Sequence, residues 1–192
     1  MKPNAYSPYK TGRDALTSRE VEKLLESFDS IQEKAFIQLA ISCGLRRNDV
    51  VCITKNDFNP STGELTYFEH KKNRTRKIKI PSTSTIHTLR LHLTSCKKSK
   101  WLFPSPKNTK VDSHVSDRHI YDVFNEHLDM IKIKRRPFHA LRATCIKLCE
   151  QAGWKDTETA ELTGDTVRVI QEHYKTPSQS QMEELAETKQ IL

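Results

Sequence analysis

In a chain of 192 residues, the side chains best suited to chemistry gather between Pro137 and Pro177. His139 and Arg142 stand three positions apart at a proline-preceded helix start, so they project from one helix face. An imidazole that moves a proton, beside a guanidinium that grips two oxygens, suits a phosphate held while its bonds are rearranged. Tyr174, just ahead of Lys175, Thr176 and Pro177, offers a hydroxyl nucleophile with an ordinary pKa of about 10. Arg46, in the turn after an apolar helix, supplies a second guanidinium from the other end of the sequence. Lys71 or Lys72, at the tip of a basic hairpin, supplies an amine able to protonate a leaving 5′ oxygen. A nucleophile, cations for the nonbridging oxygens and an acid for the leaving oxygen are what metal-free phosphodiester transfer needs.

Other chemistries find less support. The sequence has no H-E-x-x-H, no Cys/His knuckle and no acidic triad, its eight histidines are scattered, and its five glycines form no phosphate loop. No metal and no cofactor is therefore expected. Structural roles compete for each candidate. A tyrosine near a helix end is commonly a half-buried core residue, Arg46 or Arg47 could pair with Asp49 on the surface, and Lys71 and Lys72 could simply solubilise a turn.

Charged residues make up 29% and apolar residues 35% of the chain, and no apolar run approaches a membrane span. The start, MKPNAYSPYKTGRD, has no apolar signal core. Five cysteines without CxxC spacing read as reduced thiols, Cys145 and Cys149 as small core residues on one helix face. These features point to a chain that works inside a cell, in the cytoplasm or at the nucleoid, or in a host's cytoplasm if a virus or plasmid encodes it. The net charge of +8 is concentrated in residues 70–79, 96–100 and 132–136. Basic loops distributed in this way suit tracking of duplex phosphates, with Lys72, Arg74, Arg76, Lys134, Arg135 and Arg136 as the expected contacts to double-stranded DNA.

Residues 1–15 have no periodic pattern and read as a linker or disordered lead. Thr17 with Glu20, and Ser30 with Glu33, carry capping-box signatures ahead of helices, the second of which ends at Gly44. A tight turn and short helix follow, then a hairpin from residues 64–68 and 76–80 around Asn73, closed by Pro81. Helices are expected over 83–95, 119–131 and from His139 to Gly153. Another starts at an Asp156 cap and stops at Gly164, and a last short helix, capped by Thr166 or Asp165, delivers Tyr174. The fold class is mainly α with a small antiparallel β-sheet (α+β), in one folded domain.

With these residues in view, GLRRNDV (44–50), HALR (139–142) and TGD followed by Tyr174 resemble the motif boxes of the tyrosine recombinase, or phage integrase, catalytic domain. The order and spacing hold over residues 16 to about 176. The resemblance implies that family's fold, with a catalytic domain over 16–176 and a tail, 177–192, that could be exchanged between subunits. It puts Arg46 on the first arginine, Lys71 (or Lys72, one position on) on the hairpin lysine, His139 and Arg142 on the H-x-x-R pair and Tyr174 on the nucleophile. Asp165 falls where the family has His or Trp; an ionised carboxylate there cannot donate to a phosphate, so it would orient a neighbour or accept the tyrosine proton. The implied activity is site-specific DNA strand cleavage and rejoining through a 3′-phosphotyrosyl link, in a tetramer on DNA. A DNA-binding module with little catalysis and a type IB topoisomerase-like activity are the alternatives.

Overall fold

Two helices buried along most of their length form the centre of the molecule. They are α2 (Ile31–Cys43) and α6 (His139–Gln151). A helix that buries most of its circumference must be wrapped by its neighbours. In the computed structural model, which describes residues 11–96, 98–105 and 112–175, α2 packs against α4 (Thr83–Ser95), α5 (Asp117–Met130) and α6. Phe36, Leu39, Leu65, Leu89, Phe103, Phe124 and Leu141 belong to this main core. Truncating one of its phenylalanines to alanine would cost about 3–5 kcal/mol.

The termini of the helices follow local rules. Thr17 and Glu20 form the reciprocal capping box that starts α1 (Ser18–Glu26), and Ser30 accepts the Glu33 N–H at 3.4 Å ahead of α2. Gly44 ends α2 with a left-handed backbone, and the short α3 (Arg47–Val51) follows at once, leaving Arg46 in extended conformation at its cap. One expected cap is different. Asp156 is the first residue of α7 (Asp156–Thr163), not its cap; the Lys155 N–H donates to Glu158 at 2.8 Å, and the Asp156 carboxylate reaches Lys175 instead.

The hairpin joins β2 (Glu64–Glu69) to β3 (Arg74–Lys79) through a 3-10 turn at His70–Lys72 and a left-handed Asn73, as the β-formers and the polar turn predict. A two-residue strand that the sequence pattern did not indicate, β1 (Phe58–Asn59), pairs antiparallel with β2 and completes the sheet β1-β2-β3. Side chains alternate across a strand, so Glu69 lies on the same inward face as Leu65 and Tyr67, and Arg76 lies opposite Tyr67. That alternation carries two charged side chains toward the interior.

A smaller apolar cluster lies on the other side of α6. Ala143 and Ile146 of that helix meet Ala160, Ile170 and Tyr174. The chain reaches Tyr174 through α8 (Val167–Val169), capped by the Thr166 hydroxyl, which runs into a π-helical turn at Ile170–Tyr174. Residues 11–15 of the expected lead are packed down. A 3-10 turn at Thr11–Asp14 lies on α6 and the tyrosine turn, so closely that a β-carbon on Gly12 would stand 2.5 Å from the Tyr174 carbonyl oxygen. The expected tail, residues 177–192, falls outside the described residues.

Candidate active site

Four segments distant in sequence bring their functional groups together. Arg46 leaves the cap of α3 and crosses to the end of β2, where its Nη1 donates to Glu69 Oε1 at 2.6 Å. Glu69 is 0% exposed and binds a second guanidinium, Arg74, through Oε2 at 2.9 Å. Burial pulls the Glu69 carboxyl upward, but the hydrogen bonds from Arg74 and Arg46, with the charges of Arg46 and Lys72, outweigh it and hold the group below its ordinary range.

Arg142 is 2% exposed, an expensive place for a charge unless it is fully bonded. All three of its side-chain nitrogens donate: Nη1 to the Gly44 carbonyl at 2.5 Å, Nη2 to the Thr163 carbonyl at 2.7 Å, and Nε to Asp165 Oδ2 at 2.9 Å. It thereby ties the ends of α2 and α7 to α6. The other Asp165 oxygen, Oδ1, is 3.5 Å from Arg46 Nη2, so one carboxylate spans both arginines. Gly164, just before it, is left-handed, which favours glycine, and a β-carbon there would stand 2.6 Å from the Arg76 guanidinium.

His139 lies in the first turn of α6, and its Nε2 is 2.6 Å from the Tyr174 hydroxyl oxygen in a part-buried contact. Loss of hydration around the ring, then the charge of Arg142, with Arg46 and Lys71 behind it and Asp165 opposing, push the imidazole down to about 4. It is therefore neutral at physiological pH and can accept the phenol's proton. Tyr174 itself is only 6% exposed. Lys175 holds the end of its turn, with its amine 2.5 Å from Asp156 and 3.5 Å from Glu150.

Of the expected catalytic set, Arg46, His139, Arg142, Asp165 and Tyr174 thus meet in two linked contacts, the Arg46–Asp165–Arg142 bridge and the His139–Tyr174 pair. At the hairpin tip Lys72 donates to the Gly164 carbonyl, while Lys71 is exposed and acts through its charge on His139. The expected DNA contacts divide. Lys134 is exposed, and Arg135 and Arg74 are largely open while pairing with Asp129 and Glu69. Two others also serve the fold, while still lining the open clefts beside the site. Arg76 is buried against Tyr67 Oη and the Leu162 and Glu161 carbonyls, and Arg136 binds the Asp14 and Ala15 carbonyls and Glu20. Nor does Asp49 pair with Arg46 or Arg47. It is buried and accepts from the His70 backbone and ring, both at 3.1 Å, and Arg47 pairs with Asp117 instead.

An open cleft of about 740 Å³, lined in part by Arg46, Arg47, Tyr121, Arg135 and His139, leads to this site. A second, of about 370 Å³, meets it on the side of Lys72, Arg74 and Asp165. Among the described residues no three His, Cys, Asp or Glu side chains are grouped to hold a metal ion, and no helix is long and apolar enough to cross a membrane.

Residues 14–178 match the model of the phage integrase family. Among solved structures the chain is similar to XerA recombinase, with a TM-score of 0.75 and 16% identity over 100% of this chain and 67% of that one. It is similar to XerH site-specific recombinase bound to palindromic difH substrate in a post-cleavage complex (TM-score 0.72, 19% identity, 91% of this chain and 52% of that one). A lambda integrase dimer bound to a COC′ core site gives a TM-score of 0.68 and 17% identity over 84% of this chain and 47% of that one. The chain thus spans about two thirds of the first of these proteins and about half of the other two. No curated protein sequence matches it. With the family model covering most of its length, and a mainly helical fold with one small antiparallel sheet shared with tyrosine recombinases, the chain belongs to the phage integrase family.

Proposed function

We propose that this chain is the catalytic domain of a site-specific DNA recombinase that cuts and rejoins strands through Tyr174. The Tyr174 oxygen attacks the scissile phosphorus as its proton passes to His139 Nε2, and the bond from phosphorus to the 5′ oxygen breaks. The leaving 5′ oxygen takes a proton from Lys71, leaving a 3′-phosphotyrosyl link and a free 5′ hydroxyl. Attack by a 5′ hydroxyl from a partner duplex reverses the sequence, so no external energy is consumed. Arg46 and Arg142 stabilise the charge on the nonbridging oxygens. Arrival of the phosphate also offsets the positive charges that depress His139, raising its basicity as the proton must move.

The observation that carries this reading is the 2.6 Å contact between the Tyr174 hydroxyl and a neutral His139, beside two arginines that converge on one carboxylate. Double-stranded DNA in the cleft lined by Arg47 and Arg135 would present the phosphate. Solved relatives include a lambda integrase tetramer bound to a Holliday junction, which supports assembly as a tetramer; residues 177–192 would be the exchanged segment. A pool of randomised nicked duplexes tests the chemistry. Wild type should yield a detergent-stable protein–DNA adduct and Tyr174→Phe none; an adduct that survives the substitution would move the nucleophile elsewhere. Salt-sensitive DNA binding without any adduct would leave a DNA-binding module, a reading favoured by the shielding of Tyr174. Relaxation of supercoiled plasmid by a monomer would make the activity topoisomerase-like.

A further inference from the structure

Asp165 is the feature that the family pattern does not explain, and its surroundings say what it does. Each guanidinium it touches already has another anchor: Arg46 is held by Glu69, and Arg142 by the Gly44 and Thr163 carbonyls. Neither arginine therefore depends on Asp165 for its position. The carboxylate instead takes up their remaining edges, one oxygen toward Arg142 and the other toward Arg46, as the two nonbridging oxygens of a phosphodiester would. Its side chain is 9% exposed and closes off Arg142, which is itself 2% exposed.

Resting on the reading that Arg46 and Arg142 receive the scissile phosphate, we infer that Asp165 occupies that phosphate's seat and is a competitor built into the chain. A phosphodiester engages Arg142 by displacing the carboxylate, so binding is an exchange of one anion for another. A His or Trp at this position would have an N–H to donate to a phosphate oxygen; an Asp makes the substrate win the site first. The device suppresses engagement of isolated phosphates and favours DNA held by many other contacts.

Titrating isotope-labelled protein with inorganic phosphate tests this directly. In wild type the Asp165 carboxyl carbon and the Arg142 Nε–H resonance should move together along one saturation curve. Asp165→Asn, nearly isosteric but uncharged, should bind phosphate about tenfold tighter or more, and Asp165→Glu no tighter than wild type. Saturable binding that leaves the Asp165 carboxyl unmoved would overturn the proposal, as would equal, weaker or undetectable binding by a folded Asn variant. If the Asn variant does not fold, the wild-type titration decides alone. Failure of wild type to form an adduct with nicked DNA would remove the recombinase reading and leave this result untouched, so the two failures are distinct.

Discussion

The Tyr174 hydroxyl meets the ring of His139 at 2.6 Å, across 35 residues of sequence, and the ring is held neutral by its surroundings. An imidazole whose pKa lies near 4 is a poor base for an ordinary phenol until the neighbouring positive charge is offset. Its ring protons should accordingly titrate near pH 4 in the free protein and at a higher pH when phosphate or DNA is bound. Proton NMR of the histidine ring checks both; an ordinary midpoint near 6.5 in the free protein would contradict the electrostatic account.

The same shift bears on stability. His139 has a folded pKa below its unfolded value, so the unfolded state binds more protons and stability falls as the pH drops from about 6.5 toward 4. Buried His92, lowered by loss of hydration, acts in the same direction. Glu69, also lowered in the fold, contributes stability above its unfolded pKa that is lost on further acidification. Denaturant midpoints across this range should fall with pH, and His139→Gln should flatten the upper part of the curve.

Glu69 holds Arg46 and Arg74 from a fully buried position. Glu69→Ala leaves Arg46 without its short partner and is expected to cost on the order of 3 kcal/mol. Cleavage should fall further than DNA affinity, because the guanidinium is displaced and not removed. Chemical denaturation and single-turnover cleavage separate the two effects.

Lys71 and Lys72 are distinguishable by their surroundings, one exposed and the other engaged with the Gly164 carbonyl. Lys71→Ala should slow cleavage by about 10²–10⁴-fold, as expected for loss of a general acid. A substrate whose leaving atom is sulfur needs no proton and should restore the rate. If rescue appears with Lys72→Ala instead, the two lysines exchange roles.

Lys175 fastens the turn that carries Tyr174 to Asp156 and Glu150. Lys175→Ala should lower the cleavage rate at saturating DNA by roughly 10–100-fold, since small misplacements of a reacting atom are costly. Stability should change by only about 1 kcal/mol, as the pairs are partly exposed.

Arg135 and Arg136 are neighbours with separate duties. Arg135→Ala should weaken DNA binding and reduce the salt slope by about one ion, while Arg136→Ala should chiefly lower the melting temperature by freeing residues 14–20. Fluorescence anisotropy across salt concentrations, paired with thermal melts, tells them apart.

Where local rules act, the sequence was readable. The Thr17–Glu20 cap, the left-handed Gly44 and the hairpin around Asn73 depend on neighbours within a few residues. The convergence of Arg46, His139, Arg142 and Tyr174 was legible only because their motifs occur together. What escaped is long-range charge pairing. Glu69 could have been found from its alternation with Leu65 and Tyr67, but nothing near it in sequence names Arg46 as its partner. Arg76 and Arg136 looked like surface cations because a basic run does not reveal which of its members turns inward. The bond between Asp156 and Lys175 took a plausible helix cap away from its own helix for the same reason.

Gly12 is seated closely against the Tyr174 carbonyl, although the two stand at opposite ends of the described chain. A side chain at position 12 would have to push aside the backbone that carries the phenol, so a residue remote in sequence limits where Tyr174 can sit.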